Sequence, residues 1–178
     1  TNVLKKNHGI DPNDHVVLVL SGGQGLGNSA KVVTGLFSVD FTFPVHVIAI
    51  AGKNEKLFHV LSDLGETRSD DVRYTVVGWT DVIDEYMRMA DIVITKPGGI
   101  TTTECLVLQK PVVAINPIPG QEERNAQFLL EVGGGHVAIS NMDVAYYVNQ
   151  AIQSGFTPPK NIKKQAAKNI VKQILFNT

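Results

Sequence analysis

The sequence predicts an α/β fold in which a parallel sheet of about six strands is covered by helices on both faces. Three observations predict it. Short apolar runs alternate with helical patterns all along the chain, which is how a parallel sheet with helical crossovers reads. Each candidate strand is near-continuously apolar, as burial of both its faces requires. The 178 residues, 43% apolar and 19% charged, are enough for one domain with a sizeable core, and they contain no internal repeat or low-complexity tract. The expected architecture is a single Rossmann-like domain.

In chain order, Thr1 to Asp14 is polar and ends in the turn-like Asp11-Pro12-Asn13-Asp14, so residues 1–14 read as a linker or a short helix. A start at Thr1 fits either a processed or trimmed chain or the linker of a preceding domain, with the domain proper expected over residues 15–178. Strands are expected at Val16–Leu20, Val45–Ala51, Val72–Val77, Ile92–Thr95, Val112–Ile115 and His136–Ile139. Helices are expected near Asn28–Phe37, Glu55–Leu64, Asp81–Met89, Thr101–Leu108, Glu122–Glu131 and Asp143–Ser154. A last helix, about Lys160–Leu175, follows Pro158-Pro159, where proline suits a helix start. Its Lys160, Lys164, Lys168 and Lys172 recur every four residues, a stripe that suits a solvated face or an anionic lipid surface.

Composition narrows the function. A formal charge of -1 gives no footprint for nucleic acid. The single cysteine, Cys105, excludes an internal disulfide and suits a reducing compartment. No apolar run approaches the roughly 20 residues of a membrane-spanning helix, and no signal-peptide pattern opens the chain. His8, His15, His46, His59 and His136 lack the spacing of a metal site, so packing roles are expected for them.

Open α/β sheets bind ligands beyond the carboxyl ends of their strands, which directs attention to four loops. After the first strand, Ser21-Gly22-Gly23-Gln24-Gly25-Leu26-Gly27-Asn28 can turn sharply and present amides to a phosphate, or simply make a tight turn. Gly25 to Ala30 also fits the dinucleotide fingerprint by spacing; the second strand ends in Ala51-Gly52-Lys53 without a ribose-binding acid, which disfavours NAD and leaves NADP open. After the fourth strand, Lys96-Pro97-Gly98-Gly99-Ile100-Thr101-Thr102-Thr103-Glu104 places amides of Gly99, Ile100 and Thr101 at a helix start, where an anion is favoured. Glu104, a turn further on, suits a ribose diol; Thr101 to Glu104 is equally the pattern of a capping box. After the fifth strand, Pro117-Ile118-Pro119-Gly120 delivers Gln121 and Glu122, either to sugar hydroxyls or merely to a polar helix start. Trp79, in Gly78-Trp79-Thr80, is an apolar wall for a base or packs beneath its loop.

Together these segments resemble the C-terminal, donor-binding domain of GT-B glycosyltransferases of family 28 type, the group of MurG, plant monogalactosyldiacylglycerol synthases and bacterial processive diacylglycerol glucosyltransferases. The resemblance runs over about residues 15 to 140. Its most specific carriers are Thr95 to Glu104 and Pro117-Ile118-Pro119-Gly120-Gln121-Glu122-Glu123-Arg124-Asn125-Ala126, whose forms look most like the diacylglycerol enzymes. It implies a UDP-hexose donor, with uracil at Trp79-Thr80, ribose at Glu104, diphosphate at Ile100 and Thr101 near Gly23, and donor sugar at Gln121 and Glu122. Gly22, Gln24, Gly25, Pro97, Gly98, Gly99, Pro119, Gly120 and Asn125 complete the implied site. It further implies inverting transfer to a lipid hydroxyl without metal or other cofactor. The general base and the acceptor site would lie in an N-terminal domain, so this chain holds no catalytic residue of its own. A cytoplasmic location, peripheral on the membrane face, goes with that reading. Three rivals stay open: half of a UDP-sugar 2-epimerase, a donor-binding subunit that needs a partner chain, and an NADP-binding domain.

Overall fold

The computed structural model describes residues 1–22, 28–67, 72–160, 162 and 165. Six strands, β1 His15–Leu20, β2 Val45–Ile50, β3 Val72–Val77, β4 Ile92–Thr95, β5 Val112–Ile115 and β6 Gly135–Ala138, form one sheet in the order β3-β2-β1-β4-β5-β6. Every neighbouring pair is parallel. Among the described residues, seven α-helices connect or flank them: α1 Asn2–Asn7, α2 Ser29–Phe37, α3 Glu55–Leu64, α4 Ile83–Met89, α5 Gly99–Val107, α6 Gln121–Glu131 and α7 Asn141–Ser154. The alternation of apolar run and helical pattern is therefore realised as a six-stranded, doubly covered sheet.

Side chains alternate across the sheet with period two, and the core divides accordingly. Val17 and Val19 of β1 pack with Val33 and Leu36 of α2, Leu61 of α3 and Val144 and Val148 of α7. Val16, Leu18 and Leu20 face the other way, against Met87 of α4, Cys105 and Leu106 of α5 and Leu129 of α6. All four core positions Val16 to Val19 are fully buried. Burying a Val or Leu side chain contributes about 1.5–3 kcal/mol each, so the central strand anchors both layers.

The bounds of β3, β4, β5 and α3 are those expected, the other elements differ by one or two residues at one or both ends, and at α7 a cap explains the shift. Helix α7 starts at Asn141 rather than Asp143 because Ser140 caps it: its hydroxyl accepts from the Asp143 amide at 3.2 Å, while Asp143 Oδ2 accepts from the Ser140 amide at 2.8 Å. Residues 1–14 contain α1, whose buried Lys5 donates to the Asp14 carbonyl at 2.7 Å, and His8 bonds Glu85 of α4 at 2.7 Å. This segment is thus packed onto the domain. The expected helix at Lys160–Leu175 lies almost wholly outside the described residues; Ile162 packs against the second core layer.

The chain builds β1 to β3 outward, then crosses back to place β4 on the other side of β1. Such a reversal leaves a crevice at the carboxyl edge. Register sets its floor: Val77 pairs with Ile50, Ile50 with Leu20, Leu20 with Thr95, and Thr95 with Ala114. Four strands, β3, β2, β1 and β4, therefore end level, and β5 runs one residue further.

Candidate functional site

A cleft of about 210 Å³ opens on this edge, with Ser21, Gly22, Gly52, Trp79, Thr80, Thr101 and Glu104 among its walls. Ser21 is buried and its hydroxyl donates to the Ser29 hydroxyl at 2.7 Å, tying the end of β1 to the first turn of α2. Gly22 follows with φ +74, a left-handed turn that favours glycine. Gly23, Gln24 and Gly25, expected near the phosphates, lie outside the described residues.

The element after β4, α5, contributes Thr101 and Glu104 to the cleft. Gly98 is the N-cap of α5, with φ -67 and ψ 142, and no described side chain caps the helix. The Thr102 amide makes the first helical bond, to the Gly98 carbonyl at 2.9 Å. The amides of Gly99, Ile100 and Thr101 precede it and have no intrahelical partner. They stand at the positive end of the helix dipole, which attracts an anion. Glu104 lies one turn in, exposed, and lines the cleft with Thr101. Because the helix begins at Gly99, Thr101 occupies its third position and cannot be its cap. The capping-box alternative for Thr101 and Glu104 is overturned; the neighbouring Thr103 hydroxyl instead donates to the Gly99 carbonyl at 2.7 Å.

The loop after β5 is joined to that after β4 by Asn125, whose side-chain amide donates to the Pro97 carbonyl at 2.9 Å. Gly120, at φ +94, starts α6. Glu122 accepts from the Ile118 amide at 2.8 Å and Glu123 from the Gly120 amide at 2.9 Å, so both carboxylates brace their own loop. Pro119, Gly120 and Gln121 are exposed beside the cleft rather than lining it.

At the β3 end, Trp79 is 57% exposed and therefore not packed beneath its loop. The Lys53 ammonium sits 4.3 Å from its ring centroid. The Thr80 hydroxyl accepts from the Val82 amide at 3.2 Å and shapes the turn into α4. Sequence reasoning missed Ser21, Lys53 as a partner of Trp79, and the apolar lining by Ile83 and Met87. The last pair was legible in principle, since residues four apart share a helix face. Ile83, Met87 and Glu104 also border a second cavity of about 490 Å³ between α4 and α5.

Burial pushes the Cys105 thiol up to about 12, so it is an inert core residue and not a nucleophile. The histidines are held in local contacts: His46 bonds the Thr75 hydroxyl at 2.8 Å and His136 stacks on Tyr147 with ring centroids 4.2 Å apart. Among the described residues no helix is long and apolar enough to cross a membrane.

Fold and edge together define an α/β domain whose carboxyl-edge cleft is formed around a helix start suited to an anion. Residues 16–175 match the family model described as the glycosyltransferase family 28 C-terminal domain, and the chain belongs to that family. It is 35% identical over 148 residues to the processive diacylglycerol beta-glucosyltransferase of Bacillus pumilus, covering 83% of this chain and 38% of that one. It is also 35% identical over 162 residues to the Bacillus subtilis enzyme of the same name, covering 89% and 41%. The chain thus spans about two fifths of the length of these relatives. Among solved structures, MurG of Acinetobacter baumannii superposes with a TM-score of 0.76 at 15% identity, over 97% of this chain and 52% of that one. UDP-GlcNAc 2-epimerase from Neisseria meningitidis, bound to UDP-GlcNAc, gives 0.67 at 16%, over 97% and 47%. Anabaena HepE in complex with UDP-glucose gives 0.60 at 21%, over 97% and 47%. At these identities the structures establish the shared GT-B type of fold.

Proposed function

We propose that this chain binds a UDP-hexose as the donor half of a glycosyltransferase that passes the sugar to a lipid hydroxyl, that of diacylglycerol. The observation that carries the reading is the uncapped start of α5, its amides beside Glu104 at the mouth of a cleft that Trp79 and Thr80 wall on the far side. Amides of Gly99, Ile100 and Thr101 would hold the diphosphate, Glu104 the ribose diol, and the Trp79-Thr80 loop the uracil. Gln121, Glu122 and Asn125 would meet the sugar. Preorganised amides of this kind stabilise charge that develops on a leaving diphosphate, a role that needs no metal or other cofactor.

Family membership and the names of the relatives support donor binding over an NADP site. The fold by itself does not separate a transferase from an epimerase half, since the epimerase superposes nearly as well as MurG. Transfer with inversion, a general base and acceptor site supplied by the rest of a longer protein or by a partner chain, and residence on the cytoplasmic membrane face complete the reading. Residues 1–14 would then be the connection to that other half.

Calorimetry with UDP, UDP-glucose, UDP-galactose and NADP tests it. UDP and one UDP-hexose should bind, NADP should not, and Glu104→Ala should weaken UDP by about 1.5–3 kcal/mol, the value of hydrogen bonds to a charged group. UDP affinity unchanged in Glu104→Ala removes the ribose assignment. Sugar transfer to diacylglycerol by the isolated chain overturns the half-enzyme reading.

A further inference from the structure

The neighbouring ends of β2 and β3 carry a pair that the donor site has not yet used. Ile50 and Val77 are in register, and the Ala51 amide donates to the Val77 carbonyl at 2.8 Å. The two segments therefore leave the sheet side by side. Gly52, at φ +65, turns the first of them, and Asn54 caps α3 by accepting from the Leu57 amide at 2.9 Å. Lys53 thus sits between a turn and a cap, three residues beyond the end of β2. On the other segment Gly78 lies beside Phe58 and is followed by Trp79. The outcome is an ammonium 4.3 Å from the centroid of an indole that is 57% exposed.

An indole so exposed has little packing to hold its orientation, and the cation supplies that hold. Trp79 and Gly52 each border two cavities: the donor cleft, and a second of about 630 Å³ on the side of Lys53, Phe58 and His59. The indole is the partition between them.

We propose that Lys53 is a positioning residue for the nucleotide: it clamps Trp79 so that the indole is already set as the wall of the donor cleft before ligand arrives. The inference rests on the donor-site reading above. A preset wall spares the ligand the cost of ordering that side chain, which is how preorganisation raises affinity. Lys53 acts through Trp79 and makes no contact with the nucleotide itself.

Trp79 is the only tryptophan in the chain, so its fluorescence reports on this clamp alone. UDP affinity by calorimetry and acrylamide quenching of Trp79 are measured for the unaltered chain, Lys53→Met, Lys53→Arg, Trp79→Leu and the double variant Lys53→Met/Trp79→Leu. Lys53→Met should raise quenching and weaken UDP about two- to fivefold, the range of an exposed cation–π contact. Lys53→Arg should restore both. In the Trp79→Leu background, Lys53→Met should change UDP affinity less than in the unaltered chain, because the two residues act as one unit. An equal loss in both backgrounds would mean that Lys53 meets the ligand's charge directly, and overturns the inference. So does UDP affinity unaltered by Lys53→Met. Failure of the unaltered chain to bind UDP at all is a different result, which overturns the donor-site reading itself.

Discussion

Gly98 offers the sharpest separation of stability from binding. N-caps are usually Ser, Thr, Asp or Asn, yet α5 begins with a residue that has no side chain to satisfy its amides. The backbone there, φ -67 and ψ 142, is open to any residue, and an added Cβ meets nothing within 4 Å. Gly98→Asp should therefore fold, and its carboxylate should take one of the free amides. A cap of this kind improves on glycine by a few tenths of a kcal/mol, and a negative charge on the dipole adds about 0.3–1 kcal/mol. The melting temperature should hold or rise by roughly 1–4 °C. Binding should move the other way. One amide lost to a charged ligand costs about 1.5–3 kcal/mol, and carboxylate–phosphate repulsion adds about 1 kcal/mol at 4 Å in water. The total, about 2.5–4 kcal/mol, is a roughly 60- to 1000-fold loss of UDP affinity. Scanning fluorimetry and calorimetry read the two effects, with Gly98→Ala as the control expected to keep binding. A destabilised Gly98→Asp, or one that binds UDP as the parent does, refutes the account of this helix start.

Two further outcomes follow from the packing and the caps. At Gly135 an added Cβ would stand 1.9 Å from the Val112 carbonyl oxygen, which is backbone and cannot step aside. Gly135→Ala should force β6 away from β5, cost about 3 kcal/mol or more and lower the melting temperature by roughly 6–12 °C; an unchanged transition contradicts the β5–β6 register. Asp143 is held below the usual carboxylate range by the hydrogen bond from the Ser140 amide and then by that from Ile139. A depressed carboxylate contributes stability that is present above its unfolded value, about 3.9, and is lost as pH falls through the folded one. Denaturant titrations should show Asp143→Asn less stable than the parent at pH 7, with the gap closing toward pH 2; a gap independent of pH removes the charged-cap reading.

Much of the site was legible because strand ends announce themselves locally. Lys96-Pro97-Gly98-Gly99 interrupts an apolar run at the point where β4 gives way to α5, and Glu104 falls a turn later whatever surrounds it. The helix start was less legible: Thr101 was as good a cap by pattern as any residue, and only the backbone assigned the cap to Gly98. Ser140 and Asp143 show the converse, a Ser-x-x-Asp pattern that sequence alone could have marked as the start of α7. Glu122 read either as a sugar contact or as part of a polar helix start, and in the structure its carboxylate accepts from the amide of Ile118 four residues back.

Sequence by itself determined that this chain is a parallel α/β domain and where α5 begins to within two residues. Both are matters of local pattern: apolar run, glycine punctuation and helical spacing. Tertiary structure alone decided that β4 returns beside β1 and that four strands end level, so that Gly22, Trp79, Thr101 and Glu104 share one cleft. It also set Lys53 against Trp79, 26 positions apart by their numbering. Parallel pairing joins segments distant along the chain through their register, and nothing local to either segment encodes which partner it will meet.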